Sequence, residues 1–385
     1  MKKQIFLILI SLMCCAQTFA QIKCGAERYE QYLPLLEGKK VAILANHTSL
    51  IDINTHVVDF MHEKGVNIEY ILAPEHGFRG NADAGQSVNN SVDKKTGIKI
   101  FSLYGSTKKP SAEVMNNIDV LIFDLQDVGV RFFTYISSMH YLMEAAAEYG
   151  KKFIVFDRPN PNGYYIDGPT LEMKNSSFVG IYPIPVVHGM TLGELAKMAI
   201  GEGWLKSSKP LDLTVIECEN YTRDMLYELP IKPSPNLPNM RSVYLYPSTC
   251  YFEATNVSLG RGTDYPFQIY GSPSMKGYDY SFTPRSVEGA TNPPQKDKLC
   301  HGVSLVNLPQ EEILAKGISL EYIIDAYNNL KIGSKFFNSF FEKLIGVDYV
   351  RAMIISGASA DEIKAMWKQS NEDFRKQRSE YLIYK

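Results

Sequence analysis

The chain lacks an excess of either charge: 40 Lys+Arg stand against 42 Asp+Glu in 385 residues, a formal net charge of −2. A polyanionic partner is therefore not indicated, and nucleic-acid binding is not expected. Long apolar runs are missing beyond the extreme N-terminus, so no stable membrane span is expected. No G-x-G-x-x-G follows the first strand-like run, and no G-x-S-x-G occurs anywhere. Those absences remove the dinucleotide fingerprint and the serine-hydrolase elbow. His47, His76, His140 and His188 never fall into His-x-His or His-Glu-x-x-His spacing. No metal ligands, and no cofactor of any kind, are predicted. Cysteine is sparse, and past the leader Cys24, Cys218, Cys250 and Cys300 stand far apart. That spacing suits buried thiols at least as well as a disulfide.

The one short apolar run, Ile5 to Met13, follows Lys2-Lys3 and leads to Ala20. This is the pattern of an export signal, residues 1–20, cut after Ala20, and implies a periplasmic or extracellular protein. Met13 before Cys14-Cys15 fits a lipid-anchor site poorly.

What the chain does have is polar clusters at the ends of apolar runs. Ile68 to Ala73 runs into Pro74-Glu75-His76-Gly77-Phe78-Arg79-Gly80. Val120 to Phe123 runs into Asp124-Leu125-Gln126-Asp127-Val128-Gly129-Val130-Arg131. Phe153 to Phe156 runs into Asp157-Arg158-Pro159-Asn160-Pro161-Asn162-Gly163. Lys40 to Ala45 likewise ends at Asn46. Helix-like segments lie between these runs, around Thr55–Lys64 and Thr134–Tyr149, the latter closed by Gly150. Strands alternating with helices predict a parallel α/β sheet of Rossmann-like type, whose ligands bind beyond the strands' carboxyl ends. The spacing also predicts a helix over Thr191–Gly201 opened by a Thr191/Glu194 capping box, and a C-terminal helix over Ala360–Gln377. Pro230, Pro233, Pro235 and Pro238 crowd one stretch, and the boundary is placed there. Residues 21–235 then form the Rossmann-like catalytic domain, and 236–385 a smaller α+β domain completing the cleft.

A carboxyl group at a strand end beside Phe78 and His76 is suited to proton transfer. Glu75 is the leading candidate, with Arg79 as an ion-pair partner or ligand contact. Asp124, Gln126, Asp127 and Arg131 form a second group, in which an aspartate acts on the ligand or pairs with Arg131. Asp157, Arg158 and Asn160 form a third, and Glu253, Asn256 and Arg261 a fourth, next to the glycine turn Gly260-Arg261-Gly262.

These motifs, together with Pro183 to Thr191 containing His188 and Glu253 to Thr263, resemble the exo-β-N-acetylmuramidase family NamZ, formerly a domain of unknown function. The likeness covers nearly the whole mature chain. It implies an exported glycosidase that releases N-acetylmuramic acid from the non-reducing end of peptidoglycan fragments, in a cleft between two domains. Glu75 matches the glutamate regarded as catalytic in that family. Glycoside hydrolysis usually needs a second group, and Asp127, Asp124, Glu253 or the substrate's own N-acetyl group remain open for it. Muramic acid carries a lactyl carboxylate, for which Arg261 is the preferred receiver among Arg79, Arg131, Arg158 and Arg261. The rival readings are a non-catalytic cell-wall sugar-binding protein and a metal-dependent deacetylase or phosphoesterase.

Overall fold

A computed structural model describes residues 21–75, 77–79, 90–105 and 107–385. The export signal expected over residues 1–20 and His76 lie outside the described residues.

The strand-like runs assemble into one seven-stranded sheet. Its order is Ser91–Val92, Lys99–Ser102, Asn67–Ala73, Lys40–Ala45, Val120–Asp124, Lys152–Phe156, Leu213–Ile216. All neighbours pair in parallel except the edge strand Ser91–Val92, which runs antiparallel to Lys99–Ser102. Val120–Asp124 is buried at every position, the mark of a strand covered on both faces. From Lys40–Ala45 the chain steps outward through Asn67–Ala73 to Lys99–Ser102. It then returns to the other side of Lys40–Ala45 as Val120–Asp124. This reversal is where open α/β sheets bind ligands.

Helix Tyr135–Tyr149 ends as the sequence predicts, with Gly150 left-handed at φ 64°. The Thr191/Glu194 capping box opens helix Leu192–Gly201. The segment expected as a helix from Thr55 starts differently. Thr55–His56 pairs with Leu50–Asp52, and the helix is Val57–Glu63. His56 is its cap: Nδ1 accepts from Val58 N at 3.2 Å and Nε2 donates to the Asn46 carbonyl at 2.7 Å. Burial pushes its pKa down to about 4, so the neutral ring holds both bonds.

The C-terminal half is α+β. It carries a three-stranded antiparallel sheet, Ile269–Ser272, Cys300–Ser304 and Tyr280–Phe282, and a series of short helices. The predicted C-terminal helix is broken into Ala360–Ala365 and Lys368–Arg378. At the break Trp367 is buried and donates its indole N–H to Asp167 at 2.9 Å. Among the described residues no helix is long and apolar enough to cross a membrane.

One apolar core runs from the sheet into this half, joining Leu121 and Phe123 to Tyr251, Phe341 and Phe374. Arg131 stitches it. Its guanidinium is 1 % exposed and donates from Nη1 to the carbonyls of Pro169 and Ile184 and from Nη2 to those of Leu344 and Ile345. Gly346, at φ +90°, leaves room for it, since a Cβ there would strike the guanidinium. The chain end forms a second seam. Tyr384 donates its hydroxyl to Asp157 at 2.8 Å, and Arg223 pairs with Glu194 at 2.7 Å while bonding the Tyr384 carbonyl.

Removing the Arg131 guanidinium takes a donor from four buried carbonyls, of which that of Ile184 still accepts from Leu171 N at 3.2 Å. Arg131→Met should lower unfolding free energy by on the order of 3–5 kcal/mol in chemical denaturation. Arg131→Lys should recover only part of that, because an ammonium lacks the planar fork. A Met variant as stable as wild type would remove Arg131 from this role.

Candidate active site

Beyond the carboxyl ends of the strands, where the halves meet, lies a cavity of about 850 Å³. The N-terminal half contributes Glu75, Tyr104, Phe132 to Tyr135 and Phe178. The C-terminal half contributes Tyr246, Glu253, Arg261, Phe267, the stretch 289–294 and Phe340.

Glu75 follows strand Asn67–Ala73 and Pro74, in a turn where Gly77 N–H returns to the Pro74 carbonyl at 3.0 Å. Its carboxylate accepts from the Tyr104 hydroxyl at 2.8 Å (Oε1) and from Thr134 Oγ1 at 3.0 Å (Oε2). Thr134 occupies the N-cap position of helix Tyr135–Tyr149, yet its hydroxyl makes no cap bond and reaches Glu75 instead. Burial, then the nearby charges of Glu75 and Glu253, push the Tyr104 pKa up, so the phenol keeps its proton. Tyr135 OH takes a hydrogen bond from Asn46 Nδ2 at 2.7 Å, leaving its own proton for another acceptor.

Across the cavity, Glu253 sits in the 3₁₀ turn Cys250–Ala254. Its Oε1 accepts from Arg261 Nε at 3.2 Å and Nη2 at 2.5 Å. The guanidinium lies 5.1 Å over the Phe267 ring. Burial opposes the Arg261 charge, but Glu253 outweighs it and its pKa is raised. The turn holding Arg261 needs glycine on both sides. Gly260 and Gly262 have φ of +88° and +80°, and a Cβ on either would strike neighbouring atoms.

Known proteins resemble this chain over most of its length. Residues 41–241 match the family model for the N-terminal part of exo-β-N-acetylmuramidase NamZ, and residues 244–384 that for its C-terminal part. The peptidoglycan β-N-acetylmuramidase NamZ of Bacillus subtilis (strain 168) is 40% identical over 377 residues, covering 92% of this chain and 89% of the relative. The chain belongs to the NamZ exo-β-N-acetylmuramidase family. It is therefore a glycoside hydrolase. Two DUF1343 family crystal structures from Bacteroides fragilis NCTC 9343 share the fold. One is 56% identical with TM-score 0.89, covering 95% of this chain and 99% of the other. The second is 31% identical with TM-score 0.79, covering 94% and 99%.

Of the residues the sequence singled out, the cavity wall of this NamZ-family chain includes Glu75, Glu253 and Arg261. Arg261, expected to receive a lactyl carboxylate, is already paired with Glu253. The other described candidates are not among the lining residues, and each is engaged elsewhere. Asp124 is fully buried in an ion pair with Arg158 (2.6 and 2.9 Å), which also bonds the Leu50 carbonyl. Asp157 accepts from Thr191, Gly193 N and Tyr384 at 2.7–2.8 Å. Gln126 ties the Asp127 and Pro159 carbonyls, both at 2.8 Å. Asn160 bridges the Met190 carbonyl and Asn162 N. Asn46, through Tyr135, touches the wall from behind. His188 is fully buried, accepts from Met190 N at 3.2 Å, and is pushed down to about 3 by burial and the charges of Arg378, Arg131 and Arg223. Arg131 pairs with carbonyls, not with Asp127. Arg79 pairs with Asp93 at 3.0 Å and Asp59 at 3.4 Å. Asn256 is exposed and bonds the Lys335 carbonyl at 3.1 Å. Among the described residues no three His, Cys, Asp or Glu side chains converge so as to hold a metal ion.

Tyr104, Thr134, Tyr135 and the aromatic wall were not singled out from sequence. Tyr104 was within reach of the strand-end rule, since it lies just past strand Lys99–Ser102.

Asp127 is buried. Its Oδ1 accepts from Gly129 N at 2.6 Å, while Oδ2 has no partner among the described residues. Burial pushes its pKa up to about 7. The native state thus keeps a proton that the unfolded chain loses from about pH 4, and stability falls as pH rises from about 4 to 7. Asp127→Asn cannot titrate. Its stability relative to wild type should therefore improve by about 3–4 kcal/mol between pH 4 and pH 8 in denaturant titrations. A pH-independent difference would contradict the buried, proton-holding state.

Proposed function

We propose that this chain hydrolyses the β-glycosidic bond of a non-reducing-terminal N-acetylmuramic acid in peptidoglycan fragments, with Glu75 as the general acid. The observation that carries the reading is the setting of Glu75: a carboxyl group in an aromatic-walled cavity, each oxygen met by a hydroxyl. Hydroxyls donate or accept as they rotate, so Thr134 can turn to accept from a protonated Glu75 and donate again once the proton has gone. That makes the network compatible with both halves of an acid's cycle.

Phe132, Phe133, Phe178, Tyr246 and Phe267 offer apolar faces to the C–H faces of a sugar ring, and Glu253, Arg261 and Asn292 offer polar contacts. The volume falls within the ~300–1,000 Å³ of small-molecule sites, the scale of a chain end rather than a long glycan strand. The relative from Bacillus subtilis bears the name of a peptidoglycan β-N-acetylmuramidase, which supports the same substrate here.

In the reaction, Glu75 hands its proton to the glycosidic oxygen as the bond to the anomeric carbon breaks. Glu75→Gln keeps the shape and removes the proton. kcat on a muramic acid disaccharide should fall by roughly 10²–10⁴-fold. An aryl muramide with a strongly acidic leaving group needs less protonation and should be partly spared. Undiminished turnover of the disaccharide would rule out the general-acid role, and a wild-type protein that binds muramides without cleaving them would indicate a binding protein instead.

A further inference from the structure

Glu253 is the other carboxylate lining the cavity among the described residues. Its two oxygens are in different situations. Oε1 is fixed by two bonds from Arg261, whose guanidinium is itself held over Phe267 and between two glycines that admit no side chain. Oε2 has no partner among the described residues, and 28% of the side chain is exposed, on the cavity it lines. A carboxylate tethered at one oxygen and open at the other is an acceptor with a fixed direction. It also comes from the opposite half of the molecule to Glu75. The Tyr104 hydroxyl bonds Glu75 at 2.8 Å, and feels Glu253 as a nearby charge without bonding it. The two carboxyl groups thus line one cavity from opposite halves of the molecule, and an acid and a base that hold a water between carboxylate and sugar need such a shared cavity.

We propose that Glu253 is the general base of this reaction, its open Oε2 accepting a proton from the water that attacks the anomeric carbon, with Arg261 as the positioning residue. This deepens the glycosidase reading above and rests on it. The bond between the anomeric carbon and the leaving oxygen breaks, and that oxygen takes the proton of Glu75. The anomeric carbon gains the water oxygen, and Glu253 gains the water proton. One water is consumed, and proton exchange with solvent resets both carboxyl groups. Attack from the face opposite the β-linked leaving group makes the first product the α-anomer.

The test uses Glu253→Gln and Glu253→Ala with an aryl N-acetylmuramide. Both should lose about 10²–10⁴-fold in kcat/KM, and a more acidic leaving group should not spare them, unlike Glu75→Gln. Azide needs no base. It should restore turnover to Glu253→Ala and yield the α-glycosyl azide. NMR of the wild-type reaction should show the α-anomer forming first. Should Glu253→Ala fail to fold, Glu253→Gln, which keeps an acceptor for the guanidinium, carries the kinetic arm. A folded Gln variant within tenfold of wild type, a folded Ala variant that azide does not rescue, a β-azide product, or a β-anomer formed first would each overturn the proposal. A wild-type enzyme that cleaves no muramide would instead sink the glycosidase reading on which it rests.

Discussion

The structure depends on a buried guanidinium that has no carboxylate partner among the described residues. Moving a charge out of water costs several kcal/mol, and Arg131 offsets that cost with four carbonyl groups. Burial still pulls its pKa down to about 10, so it stays charged at neutral pH. Two of those carbonyls lie before the proline-rich stretch and two far beyond it, so one side chain fixes both halves at once. The residues directly after it, Phe132 to Tyr135, are cavity wall. The seam and the site are one stretch of chain.

That geometry divides the cavity's carboxyl groups between the halves. The sheet delivers Glu75 at the end of a strand, with its hydroxyl donors at the end of the next strand and at the start of a helix. The C-terminal half delivers Glu253 and Arg261 as a preformed pair. Neither half holds both carboxyl groups, so the proposed acid and base depend on the interface keeping its register. The chain end reinforces that register, with Tyr384 bonded to Asp157 and its backbone to Glu194 and Arg223. Buried polar networks of this kind lose more than their separate bonds when one member is removed.

The sheet was legible because its strands are buried on both faces and read as uninterrupted apolar runs closed by polar residues. Glu75 was legible for the same reason, and the resemblance to NamZ pointed to it as well. What local spacing could not reveal was the direction of the other polar side chains. Asp124 meets Arg158 across 34 residues of sequence, a pairing that no local spacing encodes. Asp157 and Arg158 are neighbours, but successive side chains in extended backbone point opposite ways. Asp157 accordingly faces Thr191 and Arg158 faces Asp124. Most of the strand-end polar residues hold loops in place, and the loops they hold carry the wall of the site.

The most direct measurement of the account is a crystal structure of Glu75→Gln with an uncleaved N-acetylmuramyl disaccharide. The account predicts the muramic ring between the two halves, with the glycosidic oxygen about 2.6–3.2 Å from the residue-75 amide. The open oxygen of Glu253 should look toward the anomeric carbon from the other side. A disaccharide bound with its glycosidic oxygen far from residue 75, or outside this cavity, would contradict it.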